Sequence, residues 1–240
     1  MPDRIVSGDS NLAKVVERQM RNWELARSQA LAAGEAPTKE AEKGVFDFLT
    51  TANDVGGGGG DIGTMIGERL GWPVFDREIL SAMAADDEVR TRLYRSMDER
   101  DLGWFEETMR SFIHGEFHKY DYFHRLSETL LFLARKSHAV FVGRAADLIL
   151  PKDRGLRVKV VCPYEMRVAN FARHTGVTTK EATKQIERIH GERAAFIARH
   201  FKIDILDPTR FDLLINVSRF TPEQAVELIL LAMRDRGIAA

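Results

Sequence analysis

A parallel α/β sheet with helices on both faces is the fold class that this sequence predicts. Short apolar runs alternate with longer segments of helical spacing, and about five of the runs read as strands. Polar punctuation falls after the runs, where ligands of such folds bind, at the carboxyl ends of the strands. Five consecutive glycines, Gly56, Gly57, Gly58, Gly59 and Gly60, stand between the first run and a helical pattern. At 240 residues, 44% of them hydrophobic and 30% charged, the chain suffices for one ordinary α/β domain plus an extension.

Asn11 to Ala33 reads as an amphipathic helix, with Leu12, Val15, Val16, Met20 and Trp23 at helical spacing. The polar stretch Ala33 to Glu40, with Gly34 and Pro37, reads as a linker. The division is therefore 1–44, helix and linker, and 45–240, the main domain. The helix suits docking on its own domain, or a homodimer contact. Val45 to Leu49 alternates like a strand, and Ile62 to Leu70 has helical spacing with Gly71 as its C-cap residue. Pro73-Val74-Phe75 is a short strand followed by Asp76-Arg77-Glu78. Ile79 to Lys136 is mostly helical and charge-rich. It carries an aromatic and histidine cluster: Trp104, Phe105, Phe112, His114, Phe117, His118, Tyr120, Tyr122, Phe123 and His124. These spacings form no metal set, so they read as packing.

Ala139 to Val142 is continuously apolar, as in a strand buried on both faces, and ends in Gly143-Arg144. Val158 to Cys162 is another strand, closed by Pro163. Tyr164 to His174 is a helix, Thr178 to Glu181 has the spacing of a capping box, and Leu213 to Val217 is the last strand. Thr221-Pro222-Glu223-Gln224 opens the final helix with Thr as N-cap, Pro at the first position and Gln at the third.

With 35 basic and 36 acidic residues, the chain has no global field to recruit nucleic acid or a membrane, so an anion site must be local. The single Cys162 makes no internal disulfide and suits a reducing compartment as a core residue. No apolar run is long enough for a membrane span, and Met1 to Ser10 is too polar for a signal peptide; a cytoplasmic location is expected.

Strand, glycine loop, helix is the local order of a phosphate-binding loop. Glycines let the backbone curl and point N–H groups inward, and the helix N-terminus adds partial positive charge. This loop lacks the lysine and hydroxyl of the G-x-x-x-x-G-K-[ST] signature. Asp61 falls near the position of a metal-binding Ser or Thr. A carboxylate beside phosphate is repulsive unless a cation lies between them. Three alternatives follow: a bridging metal at Asp61, weak phosphate binding, or none. Arginines on separate elements could converge on phosphate: Arg77 and Arg144 after strands, Arg167 and Arg173 on one helix, Arg188 and Arg193 on the next.

Five blocks, in this order and spacing, resemble the cytidylate-kinase-like family: Val55 to Gly63, Phe75 to Leu80, Phe141 to Ala146, Ile189 to Ala194 and Asp207 to Asn216. They span about residues 46 to 236. The resemblance implies a P-loop nucleoside monophosphate kinase fold, with a five-stranded parallel core, a helical monophosphate-binding insertion and an arginine-bearing helical lid. It implies transfer of the ATP γ-phosphoryl group to CMP or dCMP, with Mg²⁺. By that resemblance Gly56 to Gly60, with Asp61 and Ile62, wrap the ATP phosphates. Asp76, Arg77 and Arg144 hold the acceptor, Arg144, Arg167, Arg173 and Arg193 act on the phosphates, and Asp207 supports the site. Family members commonly carry Arg where this chain has Gly60, and an acidic residue where it has His190. A catalytically degenerate nucleotide- or partner-binding relative, and a kinase of another small metabolite, are the alternative readings.

Overall fold

The computed structural model describes residues 10–34, 44–112, 122–152 and 154–238. Five strands form one parallel sheet: β1 (Phe48–Asn53), β2 (Val74–Phe75), β3 (Ala139–Val142), β4 (Leu156–Val161) and β5 (Leu213–Asn216), in the order β2-β3-β1-β4-β5. The register runs Thr50 beside Phe141 and Arg157, Ala52 beside Lys159, and Val160 beside Ile215. β1 is thus central, and the loop at its carboxyl end is flanked by the ends of β3 and β4.

The first strand lies three residues later than its alternation suggests. Val45 and Phe46 are buried but precede it, and the pairing continues through Thr50 and Thr51, both buried. A strand flanked on both sides is covered on both faces, so alternation is a poor guide to its limits.

Each face of the sheet has its own core. On one, Leu49, Val140, Val158 and Val160 pack with Ile62 and Ile66 of α2 (Gly59–Leu70) and with Ile229 and Met233 of α10 (Pro222–Asp235). On the other, Phe48, Phe75 and Phe141 meet α3 (Arg77–Ala85), α4 (Asp87–Arg95), α5 (Glu99–Phe112), α6 (Tyr122–Lys136) and the short α7 (Ala146–Ile149). Trp104, Phe105 and Phe123 from the aromatic cluster are buried in that core. His114, Phe117, His118 and Tyr120 lie outside the described residues, as does most of the expected linker.

The N-terminal helix α1 (Ser10–Ala32) turns its apolar face onto its own chain. Val16, Met20 and Trp23 are buried in the same core, the Trp23 indole donates to the Leu133 carbonyl at 3.2 Å, and Arg92 of α4 bridges Glu17 and Glu24 at 2.7 and 2.8 Å. That apolar face of α1 is therefore covered by its own domain.

Thr221 and Gln224 make both halves of the capping box that starts α10. At Thr178 only the half donated by the Glu181 N–H is present. That cap opens α9 (Thr179–Phe201), which forms a hairpin with α8 (Tyr164–Thr175). The hairpin shares a small apolar cluster with the loop after β1: Val168, Ala182 and Ile186 surround Val55.

Candidate functional site

The glycine run does not all lie in the loop. Gly56 and Gly58 are left-handed, with φ of 79° and 72°, a region that L side chains enter only at a cost. Gly58 is the N-cap of α2 and offers no side-chain cap, while Gly59 and Gly60 already belong to its first turn. The first N–H groups of α2 therefore have no side-chain acceptor, and they carry the positive end of a 12-residue helix. Crowding also fixes Gly56 and Gly57. A Cβ on Gly56 would sit 2.3 Å from the Arg167 carbonyl oxygen, and one on Gly57 2.9 Å from that of Asp54, which already accepts the Gly57 N–H at 2.9 Å. At Gly60 nothing lies within 4 Å of such an atom. Ile62 is a core anchor of α2 rather than a lining side chain.

Lid donors hold the loop from outside. The Arg193 Nη1 donates to the Asn53 carbonyl at 3.0 Å, Arg167 Nε to Val55 at 3.0 Å, and Asn170 Nδ2 to Gly56 at 3.2 Å. Beside them, Arg144 Nε donates to the Arg77 carbonyl at 3.2 Å, which also accepts from the Ser81 hydroxyl at 2.7 Å. The Arg144 guanidinium lies 5.8 Å over the Tyr122 ring. Arg144 and Ala145 follow left-handed Gly143 with φ of 54° and 55°. Left-handed geometry at a non-glycine residue costs on the order of 1–2 kcal/mol, and such strain concentrates at functional sites.

The arginines expected to converge do so in part. Burial, followed by the charges of Arg77 and Arg144, pulls the Arg193 guanidinium down from its usual value to about 10; Arg167 adds to the fall and Asp54 opposes it. Arg77, Arg144, Arg167 and Arg193 thus share one electrostatic site at the loop. Arg173 does not join them: it is exposed in the last turn of α8. Arg188 pairs with Glu192 at 2.7 Å on the exposed face of α9.

The carboxylates are placed less favourably. Asp76 is the N-cap of α3, and its Oδ1 accepts the Glu78 and Ile79 N–H groups at 2.8 Å each. Asp207 caps the short 3₁₀ turn at Pro208–Arg210, where hydrogen bonds from the Thr209 hydroxyl and N–H hold its carboxyl below the usual range. That turn leads into the amino end of β5, whereas the glycine loop follows the carboxyl end of β1. Asp61 is exposed in the first turn of α2.

A profile of the cytidylate kinase-like family matches residues 48–219, from the start of β1 past the end of β5. The chain belongs to that family. A cytidylate kinase of Aeropyrum pernix is 31% identical over 107 residues, covering 44% of this chain and 62% of the relative. One from Sulfolobus acidocaldarius is 37% identical over 78 residues, covering 31% of this chain and 41% of the relative. The aligned region therefore spans less than two thirds of these relatives' lengths. An uncharacterized protein from Eubacterium ventriosum shares the fold, with a TM-score of 0.64 and 17% identity over 79% of this chain and 98% of that one.

Sequence reasoning missed Asp54, Lys159 and Asn170, which meet at the loop. Lys159 Nζ reaches Asp54 Oδ1 at 2.7 Å, and Arg167 Nη1 lies 3.9 Å from its Oδ2. One signal was available for Lys159: a cation among the apolar residues Val158, Val160 and Val161. Asn170 gave none.

The cradle fits the phosphates of ATP, since crowding excludes side chains at Gly56 and Gly57 and the helix N–H groups need acceptors. Mg²⁺ takes one or two carboxylates and fills its shell with water and phosphate oxygens. Asp61 can supply one such carboxylate. Among the described residues no group of three His, Cys, Asp or Glu side chains forms a ready-made metal site. None of the described helices is long and apolar enough to cross a membrane.

Proposed function

We propose that this chain is a nucleoside monophosphate kinase, transferring the γ-phosphoryl group of ATP to CMP, dCMP or a similar nucleotide. The observation that carries the reading is the meeting of four arginines from α3, the β3 loop, α8 and α9 at a backbone-shaped glycine loop. Phosphoryl transfer asks a protein for positioning and for neutralisation of charge on the moving group, and both are provided for here. Gly56 to Gly58 and the first N–H groups of α2 would receive the ATP phosphates. Arg77 and Arg144, on the side of Tyr122 and Ser81, would hold the acceptor phosphate. Arg167 and Arg193 would turn from the loop carbonyls toward the transferring group. Mg²⁺, when bound with ATP, neutralises the phosphates, and Asp61 would hold it. Arg173, Asp76 and Asp207 take no direct part in this arrangement.

Coupled ADP release with ATP, Mg²⁺ and a panel of nucleoside monophosphates tests it. Turnover highest with a cytidine nucleotide supports the reading; background rates with every acceptor overturn it. Turnover only with another small hydroxyl or phosphate acceptor would place the chain among kinases of a different metabolite. The loop without Lys or Arg favours a second reading, a relative that binds nucleotide without transferring phosphate. Calorimetric binding of ATP with no turnover is its signature.

A further inference from the structure

The loop's missing cation has a candidate replacement on the neighbouring strand. Lys159 lies in β4 beside Ala52 of β1, two residues before Asp54. Alternation puts Ala52, Asp54 and Lys159 toward the same face of the sheet. The ammonium is largely buried and reaches the loop's first residue, with Nζ 2.7 Å from Asp54 Oδ1. Arg167 Nη1 lies 3.9 Å from the Oδ2 of the same carboxylate. At the partly buried Arg193 the charge of Asp54 opposes those of Arg77, Arg144 and Arg167. The arrangement is a basic basket around the Asp54 carboxylate, which lies within 4 Å of two of its cations.

We propose that Lys159 supplies from β4 the phosphate-binding ammonium that the glycine loop lacks, and that Asp54 holds it in place until a polyphosphate takes it over. The inference rests on the reading of the loop as a phosphate cradle. A strand-borne lysine has a physical advantage here. Its side chain is mostly buried and already held by Asp54, so less side-chain freedom is lost when it meets phosphate than for an exposed loop lysine. The exchange also keeps charge balanced. A triphosphate brings several negative charges, Lys159 and Arg167 turn to it, and Asp54 is left to accept N–H groups of the loop or water.

Calorimetric titration with ATP and with inorganic tripolyphosphate, alongside thermal unfolding, tests the assignment on wild type, Lys159→Met, Lys159→Arg, Asp54→Asn and the Asp54→Asn/Lys159→Met double variant. Lys159→Met should weaken both ligands on the order of tenfold to a hundredfold, the range of one charge-assisted hydrogen bond. Lys159→Arg should recover part of that loss. Asp54→Asn should tighten binding severalfold by freeing both cations, and the double variant should bind as weakly as Lys159→Met. A wild type that binds with Lys159→Met binding equally well overturns this inference alone. So does a double variant that regains wild-type affinity while each single variant is weak, because the pair is then purely structural. A wild type that binds neither ATP nor tripolyphosphate overturns the cradle reading and this inference together.

Discussion

Replacing Arg193 by methionine separates ligand binding from folding, because its charge is held against its own environment. The fall from the ordinary guanidinium value to about 10 corresponds to roughly 3 kcal/mol set against the protonated form. Methionine removes that penalty and keeps much of the stem's packing. It also removes the bond to the Asn53 carbonyl, worth about 1.5–3 kcal/mol for a charged donor. The ligand-free variant should therefore unfold within about 2 kcal/mol of wild type, on the stable side or level with it. The sign of the pH dependence follows from a base whose folded value is depressed. The penalty is fully present below about pH 10 and is relieved as pH rises through that value, so the comparison is constant from pH 6 to 9. Nucleotide binding should behave oppositely. Losing a cation that pairs with a bound phosphate costs at least about 2 kcal/mol, or roughly thirtyfold in affinity. At an ATP concentration about a hundred times the wild-type Kd, ligand stabilisation should drop from about 2.7 to about 0.9 kcal/mol. Thermal unfolding with and without ATP reads both quantities. A variant that loses several kcal/mol without ligand, yet keeps the full ATP increment, would refute the argument.

Further outcomes follow from the same geometry. Gly56→Ala combines a left-handed φ with a 2.3 Å clash against backbone, so it should cost well over 2 kcal/mol in denaturant unfolding and abolish ATP binding. Gly58→Ala, left-handed but in open space, should cost only about 1–2 kcal/mol. Gly60→Arg meets no neighbouring atom within 4 Å and sits in the first turn of α2; stability should hold and ATP affinity or rate should rise in calorimetry or the coupled assay. If ATP binds neither form, the loop is no phosphate site. Asp101→Asn should destabilise by about 3–5 kcal/mol, because Arg135 and Lys136 lose their buried partner. Burial pushes the Asp101 carboxyl up, but hydrogen bonds from Lys136, the Asp98 N–H and Arg135 outweigh it and hold the group low. A depressed carboxyl contributes stability above its unfolded value near 3.8 and loses it as pH falls through the folded one. The wild-type advantage should therefore shrink in thermal scans below about pH 4.

The parts of the fold written in local chemistry were readable. Gly71 ends α2 in a left-handed C-cap, Thr221 and Gln224 start α10, and the all-apolar Ala139–Val142 is buried throughout. The limits of β1 were not, since Thr50 and Thr51 look like surface residues until β3 and β4 enclose them. Among the candidate site residues, Arg77, Arg144, Arg167 and Arg193 could be picked out because each follows a strand or sits in a lid-like helix. Arg173 has the same credentials in sequence, yet the turn of α8 carries it to the outside. Asp76 and Asp207 show the opposite ambiguity: a carboxylate before Pro or at a helix start serves a cap as readily as a ligand. Asp54 and Lys159 are 105 residues apart, and only the sheet order brings them together.

The glycine loop looks like a local motif, but its partners come from far along the chain. The carbonyls of Asn53, Val55 and Gly56 are met by groups 140, 112 and 114 residues downstream. Contacts at such separation carry a large loop-closure cost and tend to form after nearer ones. A fragment ending before α8 would keep all five glycines and lose the donors that shape them. The cradle is thus a late product of folding, complete only once nearly the whole domain has assembled around it.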